Sequence, residues 1–235
     1  MLTLALETAT GMASASLAED EREIAAWQAE AAGNLCQQLG PEVAALIGRG
    51  GASFDRLDLI AVGLGPGSFT SLRIGLATAK AFALAQDLPL VGISSLAAAA
   101  WQERRRFQGL LCPAFDAKRG ELYAALYRPG PDSLEQVEPE FVAEPDDVIA
   151  RLARRDEPVT IFGQLDSKQV TRFEQAGLRA CTLHPEPIFP RALAVAQLGR
   201  RRYRSHGPDD LASRRPLYLR KSYAEEHFDI DLGLR

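Results

Sequence analysis

Leu59-Ile-Ala-Val-Gly-Leu-Gly-Pro-Gly-Ser-Phe-Thr-Ser-Leu-Arg-Ile-Gly75 passes from a continuous apolar run into an alanine-rich one through Gly65-Pro66-Gly67. Residues 57–64 suit a strand buried on both faces, and residues 71–86 suit the helix that leaves the turn. Gly65 and Gly67 supply backbone freedom around Pro66, while Ser68 or Thr70 can cap the helix by accepting from its first free N–H groups. The turn has the form of a phosphate cradle without the residues to react with phosphate. A P-loop requires Lys and Ser/Thr directly after its last glycine, and Phe69 stands where that Lys belongs. A dinucleotide fingerprint begun at Gly63 finds Gly65 and then Ser68 in place of the third glycine. A serine-hydrolase elbow would need glycines where Pro66 and Thr70 stand.

Outward from this segment, residues 2–7, 12–18 and 22–28 are short runs separated by turns, which describes a three-strand meander. Leu35, Cys36, Leu39, Val43, Leu46 and Ile47 recur at spacings of three and four, the stripe of one helix, with Gly40-Pro41 inside it. Residues 88–93 return as a strand and Ser94 or Ser95 starts a further helix toward Trp101. A strand-helix-strand unit after a meander predicts an α/β lobe with a mixed sheet, ending near Arg106. A second meander follows at residues 110–115, 121–127 and 134–142, with the first two strands turning at Lys118-Arg119-Gly120. Helices near 145–152, 166–176 and 191–203 and a strand at 159–162 complete a second mixed α/β unit. The expected domains are residues 1–106 and residues 107–235, the latter ending in a helix and an irregular tail.

The chain has 235 residues, 46% of them hydrophobic, enough for a substantial core or two lobes. Residues 1–100 carry 5 Lys/Arg against 10 Asp/Glu, and residues 101–235 carry 22 against 21, within a net charge of −4. Between residues 191 and 221 nine Arg/Lys face only Asp209 and Asp210. Such a strip either attracts RNA phosphate or complements the negative end of a helix with Arg200, Arg201, Arg202 and Arg204. Cys36, Cys112 and Cys181 are odd in number and far apart, so they read as reduced thiols and not as a disulfide framework or zinc site. The N-terminus lacks a signal-peptide pattern and no apolar stretch reaches membrane-spanning length, which predicts a cytoplasmic protein.

Five segments in order are similar to the TsaB (YeaZ) family, which serves the threonylcarbamoyladenosine modification of bacterial tRNA. They are Leu4-Ala-Leu-Glu-Thr-Ala-Thr10, Gly65 through Gly75, Leu88-Pro-Leu-Val-Gly-Ile-Ser-Ser-Leu96, Asp116-Ala-Lys-Arg-Gly-Glu-Leu-Tyr123 and Pro216-Leu-Tyr-Leu-Arg220. The family carries Gly where this chain has Ser71, a departure that bears on loop geometry. The resemblance implies a two-lobed actin-like, ribonuclease-H-related α/β fold with mixed sheets flanked by helices. It implies a non-catalytic subunit with no cofactor or metal of its own, which binds and positions the catalytic subunit TsaD. TsaD transfers threonylcarbamoyl to N6 of adenosine 37 in tRNAs reading codons that begin with A, and the ATPase TsaE joins the pair. Contact with tRNA would be indirect or weak, and the docking surface can also form a homodimer.

Residues 71–86 carry few polar side chains, so most of that helix needs cover. Gly75, Ala79 and Ala83 form a small-residue row that would admit another helix, with Leu72, Leu76 and Leu84 or Ile74 and Phe82 turned to the core. The family pairs through helices of its first lobe. The expected docking residues are therefore Leu35, Leu39, Val43, Leu72, Gly75, Leu76, Ala79, Phe82 and Ala83. The expected signature loop is Gly65, Pro66, Gly67, Ser68, Phe69, Thr70 and Arg73.

Other candidates have plainer explanations. Glu7 sits where catalytic actin-like proteins keep an acid for metal-nucleotide, yet it reads here as an acceptor for the turn at residues 8–11. His184, His206 and His227 are isolated and lack the His-x-x-x-His spacing of TsaD. Asp116, Arg119, Glu121 and Tyr123 fit a hairpin better than a catalytic group. The alternatives are a stand-alone kinase or acyltransferase of the actin-like group, needing acids near Glu7 and Asp116, and a peptidase, for which no nucleophile-histidine pair is present.

Overall fold

A computed structural model of the chain describes residues 1–31 and 33–220. The element order is β1 (Leu2–Glu7), β2 (Met12–Glu19), β3 (Arg22–Glu30), α1 (Leu35–Arg49), β4 (Leu59–Gly63), α2 (Phe69–Ala85), β5 (Leu90–Ile93) and α3 (Ser95–Glu103). Then come β6 (Leu110–Asp116), β7 (Leu122–Pro129), β8 (Leu134–Ala143), α4 (Pro145–Ala153), β9 (Val159–Gln164), α5 (Ser167–Ala176), β10 (Cys181–Pro187) and α6 (Ala192–His206). The two five-stranded sheets have orders β3-β2-β1-β4-β5 and β8-β7-β6-β9-β10. Each is an antiparallel meander extended by two parallel strands, so the same topology occurs twice, and the fold is the actin-like, ribonuclease-H-related α/β class.

The chain divides into one unit of residues 1–98 and 190–216 and another built on residues 99–189. This differs from a single cut near residue 106, because α6 returns to the first unit. It packs on β1, β2, β4 and β5, and the reason lies in the side chains of that face. Strand register places Thr3, Ala5, Glu7, Ala61, Gly63 and Val91 on one side of the sheet. This side is shallow enough for a helix backbone: a Cβ on Gly199 would come within 2.6 Å of Ala61 Cβ and 3.1 Å of Val91 Cγ2. The opposite side carries Leu4, Leu6, Leu17, Ile60 and Val62, which are buried with α1 and α2 packed over the sheet. Sequence periodicity reveals that residues 191–203 are helical but not which sheet they choose.

The arginine strip on α6 is matched within its own unit. Arg200 pairs with Asp20 and Glu21, Arg201 with Glu21, Arg204 with Asp20, and Arg202 and Arg214 with Asp209. Lys221, the last cation of the strip, lies outside the described residues. Asp209, whose side chain is 3% exposed, also accepts the Gly92 N–H at 2.7 Å, while its own N–H donates to the Leu90 carbonyl. Residues after α6 thus close the β5 edge of the first sheet, the kind of edge that natural sheets protect.

Burial opposes ionisation of Asp209, but the Gly92 N–H and the Arg214 and Arg202 guanidinium groups outweigh it and hold the carboxyl below the usual range. A depressed carboxylate contributes stability above its unfolded value, lost as pH falls through the folded one. Asp209→Ala should therefore cost about 2 kcal/mol at neutral pH, with Asp209→Asn recovering part of it. The difference from the parent should shrink as pH falls below the ordinary value of 3.8, which thermal unfolding at several pH values will read.

In the second unit the core forms on one side of the sheet from Leu110, Cys112, Leu122, Ala124, Leu126, Val159 and Ile161, closed by Val148, Leu152 and Phe173 of α4 and α5. The α5 N-terminus is a full capping box between Asp166 and Gln169, and Gly177 ends the helix in the left-handed conformation. The strand β10 escapes sequence reading because Pro185 and Pro187 obscure it. Its pairing to β9 shifts register between Leu183 and Pro187, where an edge strand tolerates proline.

Candidate functional site

The signature loop connects β4 to α2, and several of its polar groups are engaged within the unit. Gly65 donates its N–H to Ser95 Oγ at 3.1 Å and accepts from the Ser95 N–H at 2.8 Å; the Ser68 N–H donates to the Ala9 carbonyl at 2.8 Å. Ser68 is the helix cap, its Oγ accepting from the Ser71 N–H, and the two hydroxyls lie 3.0 Å apart. Thr8 Oγ1 donates to the Ser71 carbonyl at 2.8 Å. Ser71, the departure from the family pattern, therefore serves both the cap and the junction with β1. Gly65 has φ 94°, and a Cβ at Gly67 would run into the Ala9 carbonyl. The Gly65 and Ser68 amides are thus committed within the unit, where they brace the loop against α3 and the turn after β1.

Beneath it lies Glu7, fully buried. Its Oε1 accepts the Ala9 N–H at 2.7 Å and its Oε2 accepts the Ser95 hydroxyl at 2.8 Å. Gly63 leaves the space for the carboxylate, since a Cβ there would overlap it. Burial raises the carboxyl from 4.5 to about 7, against the lowering effect of the Ala9, Ser95 and Thr8 donors. The folded value lies above the unfolded one, so this group's contribution to stability is full below about pH 4.5 and declines as pH rises toward 7. The acceptor reading of Glu7 matches this geometry. Ser95 is the partner that sequence reasoning missed, for it lies 88 residues away.

The docking expectation needs correction in its orientation. Gly75, Ala79 and Ala83 are buried, as are Leu72 and Leu76, and a Cβ on Gly75 would collide with Thr8. The small-residue row is spent on close approach to the unit's own sheet. Leu35, Leu39 and Val43 of α1 are likewise buried, and Phe82 is half-buried in a stack on Phe54 at 5.2 Å. The outward stripe of α2 is instead Phe69, Arg73, Ala77, Ala81 and Leu84, spaced by about one turn each. Leu84 is 70% exposed and Phe69 36%, and the Arg73 guanidinium lies 3.7 Å from the centre of the Phe69 ring. Beside it α1, which packs on α2, exposes Cys36, Pro41, Ala44 and Ala45. The small residues on the outward stripe of α2 are Ala77 and Ala81.

The remaining candidates serve structure. Asp116 accepts the Lys118 N–H at 2.8 Å and pairs with Lys118 Nζ at 2.7 Å, bracing a hairpin turn in which Lys118, Arg119 and Gly120 all have positive φ. Glu121 pairs with Arg220, which also donates to the Ala117 carbonyl, so the fourth and fifth signature segments meet. His184 contacts Arg106 and the Glu186 carbonyl, and His206 contacts Ser205. His227 lies outside the described residues. Among the described residues no cluster of His, Cys, Asp or Glu can hold a metal, and no helix is long and apolar enough to cross a membrane. Burial pushes the thiols of Cys112 and Cys181 upward, the latter to about 11, so neither is an activated nucleophile.

A family model described as "TsaD: tRNA N6-adenosine threonylcarbamoyltransferase" matches residues 28–181. The "tRNA threonylcarbamoyladenosine biosynthesis protein TsaB" of Bacillus subtilis is 31% identical over 226 residues, covering 96% of this chain and 96% of that protein. The Escherichia coli protein of the same name is 35% identical over 136 residues, covering 54% of this chain and 55% of its own length. Among solved structures, "YeaZ from Pseudomonas aeruginosa" superposes with a TM-score of 0.78 at 24% identity, covering 93% of this chain and 99% of that one, a likeness of fold. The near full-length identity, the shared fold and the five ordered segments place this chain in the TsaB (YeaZ) family.

Proposed function

We propose that the protein is a non-catalytic subunit of tRNA N6-threonylcarbamoylation, which docks on the catalytic subunit TsaD and works with the ATPase TsaE. The observation that carries this reading is the outward stripe of α2, an apolar helix face with Leu84 largely exposed. Ala77 and Ala81 let a partner helix approach closely between the larger Phe69 and Leu84. A second copy of the chain can occupy the same face when the partner is absent.

The site chemistry supports an indirect role. Glu7, the position expected to serve metal-nucleotide in a kinase, is enclosed and hydrogen-bonded. Ion pairs around Arg200 and Asp209 reduce the field that the α6 strip would offer to RNA. Docking would then act by favouring the active arrangement of the partner, to the extent that the interface energy differs between partner states. Co-purification with the cognate TsaD, followed by a tRNA modification assay with TsaE, tests this directly. The expected result is a stable complex and activity that depends on this chain, with no ATP hydrolysis by the chain alone. Undiminished modification in its absence would refute the role.

A further inference from the structure

The hydrogen bonds around Glu7 form a directed chain that ends in the signature loop. Gly65 N–H donates to Ser95 Oγ, and Ser95 O–H donates to Glu7 Oε2. The other carboxylate oxygen receives the Ala9 N–H, and the Ala9 carbonyl in turn receives the Ser68 N–H at the cap of α2. Both arms of one carboxylate therefore reach the segment that launches α2. In this arrangement Glu7 accepts at both oxygens, as the ionised form does. A proton on Oε2 would set two donors against each other, so the Ser95 hydroxyl hydrogen would have to turn away. Ser95 Oγ would then divide its lone pairs between the Glu7 O–H and the Gly65 N–H.

Among the described residues no charge compensates Glu7. The groups meeting it are the Ala9 and Thr8 amides of its own turn, Gly63 of β4 and Ser95 of α3, all neutral. The sheet face that carries Glu7 is covered by α6, whose buried cation Arg200 is committed to Asp20 and Glu21. On the other face, α2 meets the neutral Thr8 through Ser71 and Gly75. Burial alone raises the carboxyl into the neutral range, where a small change in pH or surroundings alters its proton occupancy.

We propose that Glu7 and Ser95 form a proton-dependent latch on the signature loop, through which protonation of one buried carboxyl changes how α2 presents its docking face. The latch concerns the chain itself; its effect on the partner rests on the docking reading above. The test is heteronuclear NMR of the full chain from pH 5.5 to 8.5, following the Glu7 carboxyl carbon and the Gly65 and Ser68 amides, in parallel with TsaD affinity over the same range. All three signals should move with one midpoint. In Glu7→Gln the pH response of the amides should vanish. In Ser95→Ala, which removes the relay but keeps the acid, Glu7 should still titrate while the Gly65 response falls at least threefold.

TsaD affinity should differ at least threefold between pH 6 and 8 in the parent and become flat in Glu7→Gln. Titration of Glu7 with motionless loop amides would overturn the latch, as would an unchanged Gly65 response in Ser95→Ala. Moving amides with pH-independent affinity would overturn the regulatory coupling. Absence of TsaD binding at every pH, with the NMR response intact, would instead strike down the docking reading and leave the latch standing.

Discussion

Replacing Ala79 with Glu should strongly destabilise the first unit and not merely alter its surface. Ala79 is 0% exposed on the inner side of α2, one turn beyond the glycine that touches Thr8. A carboxylate inserted there loses its water without gaining a partner, and it also needs space that a well-packed core does not have. The expected cost is about 4 kcal/mol, a large part of the 5–15 kcal/mol by which domains of this size are stable. Thermal unfolding should show a fall of about 10 °C or more, with loss of near-ultraviolet circular dichroism in the most affected preparations. A folded Ala79→Glu protein with the parent's melting temperature would show that this side of α2 is not packed on the sheet. The same substitution, read from sequence alone, would pass for a surface charge in a docking row.

Replacing Leu84 with Arg should do the reverse, leaving the fold intact and weakening the partner. Leu84 is 70% exposed near the end of α2, so little core contact is lost, and a cation in the last turn suits the helix dipole. The melting temperature should stay within about 2 °C of the parent, in line with a surface change of less than about 0.5 kcal/mol. At a helix-packed interface the inserted guanidinium would be desolvated against an apolar partner. TsaD affinity should then fall at least tenfold, about 1.4 kcal/mol, and tRNA modification at limiting protein should fall with it. Titration calorimetry and the modification assay read the two quantities separately. Equal affinity for the variant and the parent would remove the α2 stripe from the interface.

Together the two substitutions separate the inside of α2 from its outside, a distinction that hydrophobic content could not make. Helix α2 is apolar or small nearly all round, so periodicity offers no preferred side. Gly75, Ala79 and Ala83 and the outward Ala77 and Ala81 have equal claims to be a close-packing row on composition. The choice is made by Thr8, at the turn after β1, which fills the space beside Gly75. Helix α1 was easier to orient because Leu35, Leu39, Val43, Leu46 and Ile47 form one stripe, and all are buried. There the error lay in assigning to a partner a stripe that the unit's own sheet consumes.

The signature loop was legible in its glycines and its capping serine, because positive φ and N-cap geometry are local demands that particular residues meet. The turn at Lys118-Arg119-Gly120 was legible for the same reason. Ser95 as a ligand of Glu7, and Asp209 as the closure of the β5 edge, depend on contacts across 88 and 117 residues and have no local signature. The seating of α6 on the first sheet belongs with them. Its apolar positions announce a buried face, while the shallow surface of Ala61 and Val91 determines where that face fits.

By itself the amino-acid sequence determined the strands and helices in nearly their full order, the doubled meander and the family. Each of these rests on short-range periodicity, backbone demands or ordered motifs. Tertiary structure alone decided which side of α2 faces water, which sheet holds α6, and what holds the buried carboxylate of Glu7. Those outcomes are settled by shape and hydrogen-bond satisfaction between segments far apart in the chain, where a side chain's neighbours are set by the packed whole.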